Sequence, residues 1–308
     1  MRVGVYSLRD GFRNFGDFIG PPIVSEFFSE PVIAADAGLV TRSPVLVAVG
    51  SILHLVQSGD GVWGAGTRFA GAKIEVSGVD YFAVRGPLTA KEIVANGGPK
   101  VTAFGDPGLL ISSIPKYREL LQNHRLQGSD REKAPFLVIP HYSHAKHLPS
   151  RLRLAMKLQS ASHSKIRSWL GLRMGVSKTE EGLTRWISPF QPLDLIVRHV
   201  LTSRMTISSS LHGLVTACSF GVPFRWWWPG FLSSHQADEG RFKYRDFLES
   251  LTSLDTANGN IDMASGSTVE ECIRLGEQCV GVVPSLESLI RSIPDENLRM
   301  RYRNAMVS

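Results

Sequence analysis

Apolar positions in this chain fall into short β-branched runs, broken by glycine turns and separated by stretches of helical periodicity. In the first half, residues 2–6, 44–49, 81–84 and 101–104 read as strands, and residues 18–28 and 88–96 as helices. Such alternation requires crossover connections and therefore a parallel sheet. A polar, charged stretch at 123–134 interrupts the pattern and reads as a linker. Strand signals return at 136–140, 186–188 and 204–208, with helices at 192–201, 211–220 and 269–280. The expectation is an α/β protein of two successive doubly wound parallel-sheet units, residues 1–130 and 131–308.

Length agrees with this division, because 308 residues exceed one comfortable core and suggest two domains of roughly 150 residues. Hydrophobic residues make up 43% of the chain and mean hydropathy is −0.01, as in ordinary globular proteins. The N-terminal MRVGVYSLRD reads as a short strand rather than a charged leader with a long apolar core. The longest largely apolar run, residues 44–56, is shorter than the roughly 18 residues a spanning helix needs. A cytoplasmic protein is expected, or one held peripherally on the cytosolic face of the inner membrane. Three cysteines, Cys218, Cys272 and Cys279, have no paired metal spacing and fit a reducing compartment. Cys272 and Cys279 are spaced to share a buried helical stripe.

Charge changes the picture in one place. The net charge is only +6, yet nine Lys or Arg residues and no acid lie between Lys133 and Lys178, mixed with Leu148, Leu152, Leu154, Met156, Leu158, Trp169, Leu170 and Met174. This 133–178 segment suits either a solvated basic face or contact with an anionic membrane or a pyrophosphate-bearing acceptor. Aromatic residues do not interleave with the charges as a nucleic-acid stacking platform requires, so no nucleic-acid partner is expected.

The densest candidate chemistry lies at TISSSLHGLVTACSFGVPFRWW, residues 206–227, read as a strand, a polar turn and a helix starting near Leu211. A helix N-terminus favours an anion, and Ser208, Ser209, Ser210 and His212 can complete the cradle. The plainer reading makes Ser210 an N-cap and His212 an incidental polar helix residue. Arg85 follows a strand, and Gly86-Pro87 turns the chain into a helix, which suits bidentate contact with a carboxylate or phosphate as well as a structural ion pair. His141, His144 and His147 recur every third residue, but Pro140 and Tyr142 suggest a strand end and loop, so no metal site is expected. His144 and His147 read as exposed. GVWGAG lacks the Lys-Ser/Thr of a P-loop, and Gly50-Ser51 can offer backbone amides to a ligand. The aromatic block 225–228 reads as core packing or as a sugar-stacking platform.

SSSLHGLVTACSFGVP resembles the signature of the polysaccharide pyruvyl transferase family. NFGD at 14–17, GSILH at 50–54, WGAG at 63–66, VRGPLTA at 84–90, FGDPGLL at 104–110, PHYSH at 140–144 and FKYRDF at 242–247 resemble further parts of its pattern, in order. The resemblance implies a GT-B-like pair of Rossmann-like domains facing a central cleft. It also implies transfer of a pyruvyl group from phosphoenolpyruvate to a sugar of a bacterial exopolysaccharide or its lipid-linked repeat unit, as a ketal and with phosphate release. Phosphoenolpyruvate is then the donor substrate, a lipid-linked oligosaccharide the expected acceptor, and no cofactor is required. Asp17 is assigned to proton transfer, and His212 to the phosphate or the leaving group. Arg85, Ser208, Ser209, Ser210, Leu211, His212, Gly213, Lys243 and His141 are assigned to the donor, and Asn14, Gly16, Gly50 and Ser51 to the acceptor or cleft. Residues 1–130 would then form the acceptor side and 131–308 the donor side, with Arg245 less favoured than Lys243 as a donor cation. One departure is Ser210, where many relatives carry an arginine, so that contact must come here from another cation or from backbone amides. A GT-B nucleotide-sugar glycosyltransferase and a non-catalytic glycan- or membrane-binding relative are the alternatives.

Overall fold

The structure, a computed structural model, describes residues 4–7, 15–27, 33–36, 45–126, 134–147, 176–179, 182–229, 234–253, 264–276 and 286–293. Its first set of strands is wholly parallel: β1 (Gly4–Ser7) pairs with β2 (Ile33–Asp36), and β3 (Leu46–Val47), β4 (Gly61–Trp63) and β5 (Asp80–Ala83) form a second ladder. Because β1 lies against β3, the spatial order runs β2-β1-β3-β4-β5. A parallel bridge from Val84 to Phe104 extends the β5 edge. The helices α1 (Gly20–Phe27), α2 (Pro87–Ala95) and α3 (Pro115–Leu126) belong to this half of the sequence. Pro87 opens α2, where its missing N–H costs nothing and its fixed φ is already helical.

The second sheet has the order β10-β9-β6-β8-β7, built from β6 (Phe136–Ile139), β7 (Val176–Thr179), β8 (Gly182–Trp186), β9 (Thr206–Ser208) and β10 (Phe224–Trp226). All neighbours are parallel except the edge strand β7, which runs antiparallel to β8. Every residue of β6 is buried, so the strand is covered on both faces and reads as an unbroken apolar run. The next helix, α4 (Leu193–Leu201), buries Leu193, Ile196, Val197, Val200 and Leu201, the i, i+3, i+4, i+7, i+8 stripe of an amphipathic helix. By contrast α5 (Leu211–Ser219) is buried on nearly every side. After it come the long α6 (Ser234–Ser253), α7 (Val269–Leu275) and α8 (Glu287–Arg291).

Sequence and structure differ in identifiable places. The strand expected at 186–188 lies at Gly182–Trp186, and the one at 101–104 shrinks to the Phe104 bridge. β2, β4, β7, β10, α3, α6 and α8 were not anticipated. The helix expected at 269–280 stops at Leu275, where Gly276 takes φ +70° and ψ −156°, a non-helical conformation open mainly to glycine. Cys279 and residues 148–175 of the basic segment lie outside the described residues, whereas Cys218 and Cys272 are buried. The expected linker at 123–134 begins inside α3, and residues 127–133 lie outside the described residues. Among the described residues no helix is long and apolar enough to cross a membrane.

Strand order fixes where a ligand belongs. Chain order reverses direction between β6 and β9 in the second sheet and between β1 and β3 in the first. In open parallel sheets the crevice at such a reversal, beyond the carboxyl ends of the strands, is the binding position. The largest apolar cluster includes Leu46, Trp63 and Ala83 from the first set of strands and Leu137, Ile139 and Phe224 from the second. The two sets therefore share a continuous core.

Candidate active site

At the β6/β9 reversal the two strand ends are tied together by side chains. Ser209 Oγ accepts the His141 N–H at 2.9 Å and lies 3.0 Å from His144 Nδ1. Ser208 Oγ accepts the Ser210 N–H at 2.9 Å and donates to the Ile139 carbonyl at 2.8 Å. Two of the three serines thus use their hydroxyls to fold the turn. Ser210 stands at the N-cap position of α5, but its hydroxyl makes no cap bond, which revises the plain N-cap reading. Gly213 is required by packing, since a Cβ there would stand 2.3 Å from Ser208 Oγ. The turn is therefore held rigidly, with the Leu211 and His212 amides of the first turn of α5 at its end, while the Gly213 N–H closes back on the Ser210 carbonyl at 3.1 Å.

Aromatic residues brace it from behind. Tyr244 donates its hydroxyl to the Ser209 carbonyl at 2.6 Å and stacks on Trp226 with ring centroids 4.7 Å apart. Trp226, Trp227 and Trp228 are all buried, which favours core packing for the aromatic block.

Arg85 supplies the second half of the site. Its side chain is fully buried, with Nε 3.0 Å from Asp246 Oδ2, one Nη donating to Ser51 Oγ at 2.5 Å and the other to the Thr67 carbonyl at 2.6 Å. Asp246 on α6 also accepts the Thr89 N–H at 2.9 Å and the Thr89 hydroxyl at 2.6 Å. Close approach makes this possible: a Cβ on Gly86 would stand 1.9 Å from the Asp246 carbonyl oxygen, and one on Gly66 would stand 2.4 Å from the Arg85 guanidinium carbon. Gly50, at φ +117°, places Ser51 beneath the guanidinium.

Three residues before Asp246 on α6, Lys243 faces the same region. Burial pushes its ammonium down to about 7, and the Arg68 and Arg85 charges add to the effect. His212 keeps some surface exposure, but its Nε2 is sealed from solvent and has no hydrogen-bond partner. Burial, then Lys243 and Arg85, lower it to about 3, so it is a neutral imidazole in the free protein. His141 is held well below its usual value by burial and by Lys243, His144, Arg68 and His212. Hydrogen bonds tie their surroundings together: Asp246 holds Arg85, Tyr244 next to Lys243 holds the Ser209 carbonyl, and Ser209 holds the His141 N–H.

The structure thus brings together Arg85, Ser51, Ser208, Ser209, Ser210, Leu211, His212, Gly213, Lys243 and His141. Gly16 and Asp17 lie in a 3-10 turn, Phe15–Phe18, immediately before α1. That turn is anchored by the Phe15 N–H to the Pro189 carbonyl at 2.7 Å. Asn14 and the Asp17 side chain lie outside the described residues. One expectation is corrected: His144 is buried, because the chain after β6 forms a 3-10 helix, Tyr142–His147, that turns its ring onto Ser209. The side chain of His147 lies outside the described residues, and Arg245 is exposed. Among the described residues no cluster of three or more His, Cys, Asp or Glu is placed to hold a metal ion.

Sequence reasoning missed four participants. Asp246 and Tyr244 sit inside FKYRDF, Asp106 inside FGDPGLL, and Arg68 directly follows WGAGT. Arg68 is exposed at the rim, and its charge acts on both Lys243 and His141. A carboxylate three residues after a lysine, on the same helix, was the one available signal for Asp246.

No curated protein and no solved structure matches the chain. The sequence profile described as polysaccharide pyruvyl transferase matches residues 45–227, more than half of the chain, spanning β3 to the residue after β10. The chain therefore belongs to the polysaccharide pyruvyl transferase family.

Proposed function

We infer that the protein transfers a pyruvyl group from phosphoenolpyruvate to a pair of hydroxyls on one sugar of a bacterial exopolysaccharide or its lipid-linked repeat unit. A cyclic ketal forms and phosphate leaves. The observation that carries this reading is that one turn of α6 holds Arg85 through Asp246 and the Ser209 carbonyl through Tyr244, which sets Arg85 and Lys243 beside the turn that leads into α5 and His212, an arrangement suited to a small, highly charged anion. Arg85 keeps N–H groups on both Nη atoms beyond those given to Ser51 and Thr67, and Asp246 fixes its orientation. Among the described residues, Lys243 and the exposed Arg68 are the candidates to take the place of the arginine that Ser210 replaces. With His212 neutral in the free protein, its role is to hold the phosphate through Nε2 rather than to arrive as a ready acid.

Protonation of the donor's methylene carbon makes the adjacent carbon electrophilic, and an acceptor hydroxyl adds there after losing its proton. The second hydroxyl then displaces phosphate. Asp17 is assigned to accepting the hydroxyl proton. In the GT-B-like reading, residues 1–130 present the acceptor and residues 131–308 the donor. Peripheral contact with an anionic membrane through residues 133–178 would bring a lipid-linked acceptor within reach.

Phosphate release with phosphoenolpyruvate and lipid-linked oligosaccharides is the decisive measurement. Acceptor-dependent release of one phosphate per ketal is expected. Nucleoside diphosphate release from a sugar nucleotide, with none from phosphoenolpyruvate, would establish a glycosyltransferase instead. Donor binding without turnover would leave the non-catalytic reading.

A further inference from the structure

Arg85 and Asp106 leave neighbouring strand ends. Val84 bridges Phe104 in parallel, and the Gly105 N–H donates to the Val84 carbonyl at 3.0 Å, so the two chains turn away from the sheet side by side. Asp106 then caps the 3-10 helix Pro107–Ser113, its Oδ1 accepting the Gly108 N–H at 2.8 Å. A Cβ on Gly108 would stand 2.7 Å from Val215 Cγ1, so α5 packs directly on this turn. Asp106 is thus clamped between the Arg85 strand end and the helix whose N-terminus forms the anion site.

Capping uses only one of its two oxygens. Oδ2 is sealed from solvent and has no hydrogen-bond partner, in a residue that is 0% exposed. A bare carboxylate oxygen in that position costs more than the neutral carboxylic acid, which leaves an unpaired O–H but no buried charge. Two carboxyl groups stand within electrostatic reach of Arg85, and they have different surroundings: Asp246 takes the ion pair, and Asp106 is left without one. Burial pushes Asp106 up to about 6 and the Asp246 charge adds to it, against the pull of the Gly108 N–H and Arg85. An anionic donor arriving beside Arg85 raises it further, so the acid gains its proton as the substrate binds.

The geometry points to Asp106 as the carboxylic acid that protonates the methylene carbon of the donor. The assignment rests on the pyruvyl-transfer reading. The proton passes from Oδ2 to the terminal carbon, whose C–H bond forms from the electrons of the carbon–carbon double bond. The inner carbon is captured by the first acceptor hydroxyl, whose proton passes to Asp17 and restores the enzyme's proton count. The second hydroxyl closes the ring, and its proton leaves with phosphate.

The test is Asp106→Asn, in which the carboxamide oxygen still caps Gly108 but no acidic proton remains. Expected are an unchanged melting temperature, a KM for phosphoenolpyruvate within a few-fold of wild type, and a kcat reduced by about 100-fold or more. The fall in kcat that wild type shows as rising pH deprotonates the acid should vanish in the variant. A wild-type kcat in Asp106→Asn, or a loss confined to KM, overturns the proposal and leaves Asp106 as a cap beside Arg85. Asp106→Ser, which also caps, gives the same comparison if the asparagine variant does not fold. Should neither fold, a wild-type kcat that stays flat from about pH 6 to 9 overturns the assignment. Wild-type phosphate release controls for the underlying reading: without it both fall, and with it an unimpaired Asp106→Asn defeats only the proton assignment.

Discussion

At the residue scale, Lys243 carries the clearest pH signature. Its ordinary value near 10.5 is lowered to about 7 by burial first and by two guanidinium charges second. Above about pH 7 the free protein holds it as a neutral amine, and a bound anion restores the charge, so donor binding must take up a proton there. Affinity for phosphoenolpyruvate is expected to fall as pH rises from about 7 toward 9, by up to about tenfold per unit. Calorimetry in two buffers of different ionisation enthalpy checks this, and a pH-independent affinity would remove Lys243 from the donor. Arg85 and Asp246 make a second residue-scale prediction. Asp246→Ala leaves a buried guanidinium without its carboxylate and should cost about 3–5 kcal/mol in urea unfolding, whereas Arg85→Met/Asp246→Leu should recover much of that loss without recovering donor affinity. Arg85 was legible because a strand end followed by Gly-Pro marks a fixed cation. Its partner was not, because 161 residues separate the pair and only the fold brings them together.

Among the elements, the long apolar and helical signals were readable and the short ones were not. β4 and β10 have three residues each, too few for a period to emerge, and β4 was read as part of a glycine motif. α3 is polar over most of its length and buries Tyr117 near its start, while α6 interleaves the buried Phe242, Tyr244, Phe247, Leu248 and Leu251 with charged residues, so their stripes do not stand out. The α5 turn was found because the change from β-branched to hydroxyl to apolar residues is itself a boundary. How it is held depends on contacts with β6 that no local pattern encodes. The junction of α2 and α6 yields a prediction at this scale. Gly86→Ala inserts a methyl group against the α6 backbone without backbone strain, since Gly86 itself is extended at φ −167°. It should destabilise the protein by about 1–3 kcal/mol and weaken donor binding together. Lowered melting with intact donor affinity would separate the junction from the site.

For the whole molecule, the parallel α/β architecture was legible from alternation, and the shared apolar core between the two sets of strands was not. The basic segment remains a separate question of where the protein works. Arg151→Glu/Arg153→Glu/Lys157→Glu should reduce pelleting with vesicles containing about 30% anionic lipid, an effect that salt should mimic by screening. Equal pelleting of wild type and variant would leave the segment as a solvated face. One turn of α6 has a wider consequence. Lys243 carries a charge that His212 feels, Tyr244 grips the Ser209 carbonyl, and Asp246 grips Arg85. An α-helix rotates about 100° per residue, so inserting or deleting a single amino acid between positions 243 and 246 would swing at least one of these groups off its target. Length variation among homologous chains should therefore accumulate on either side of this turn and be absent within it.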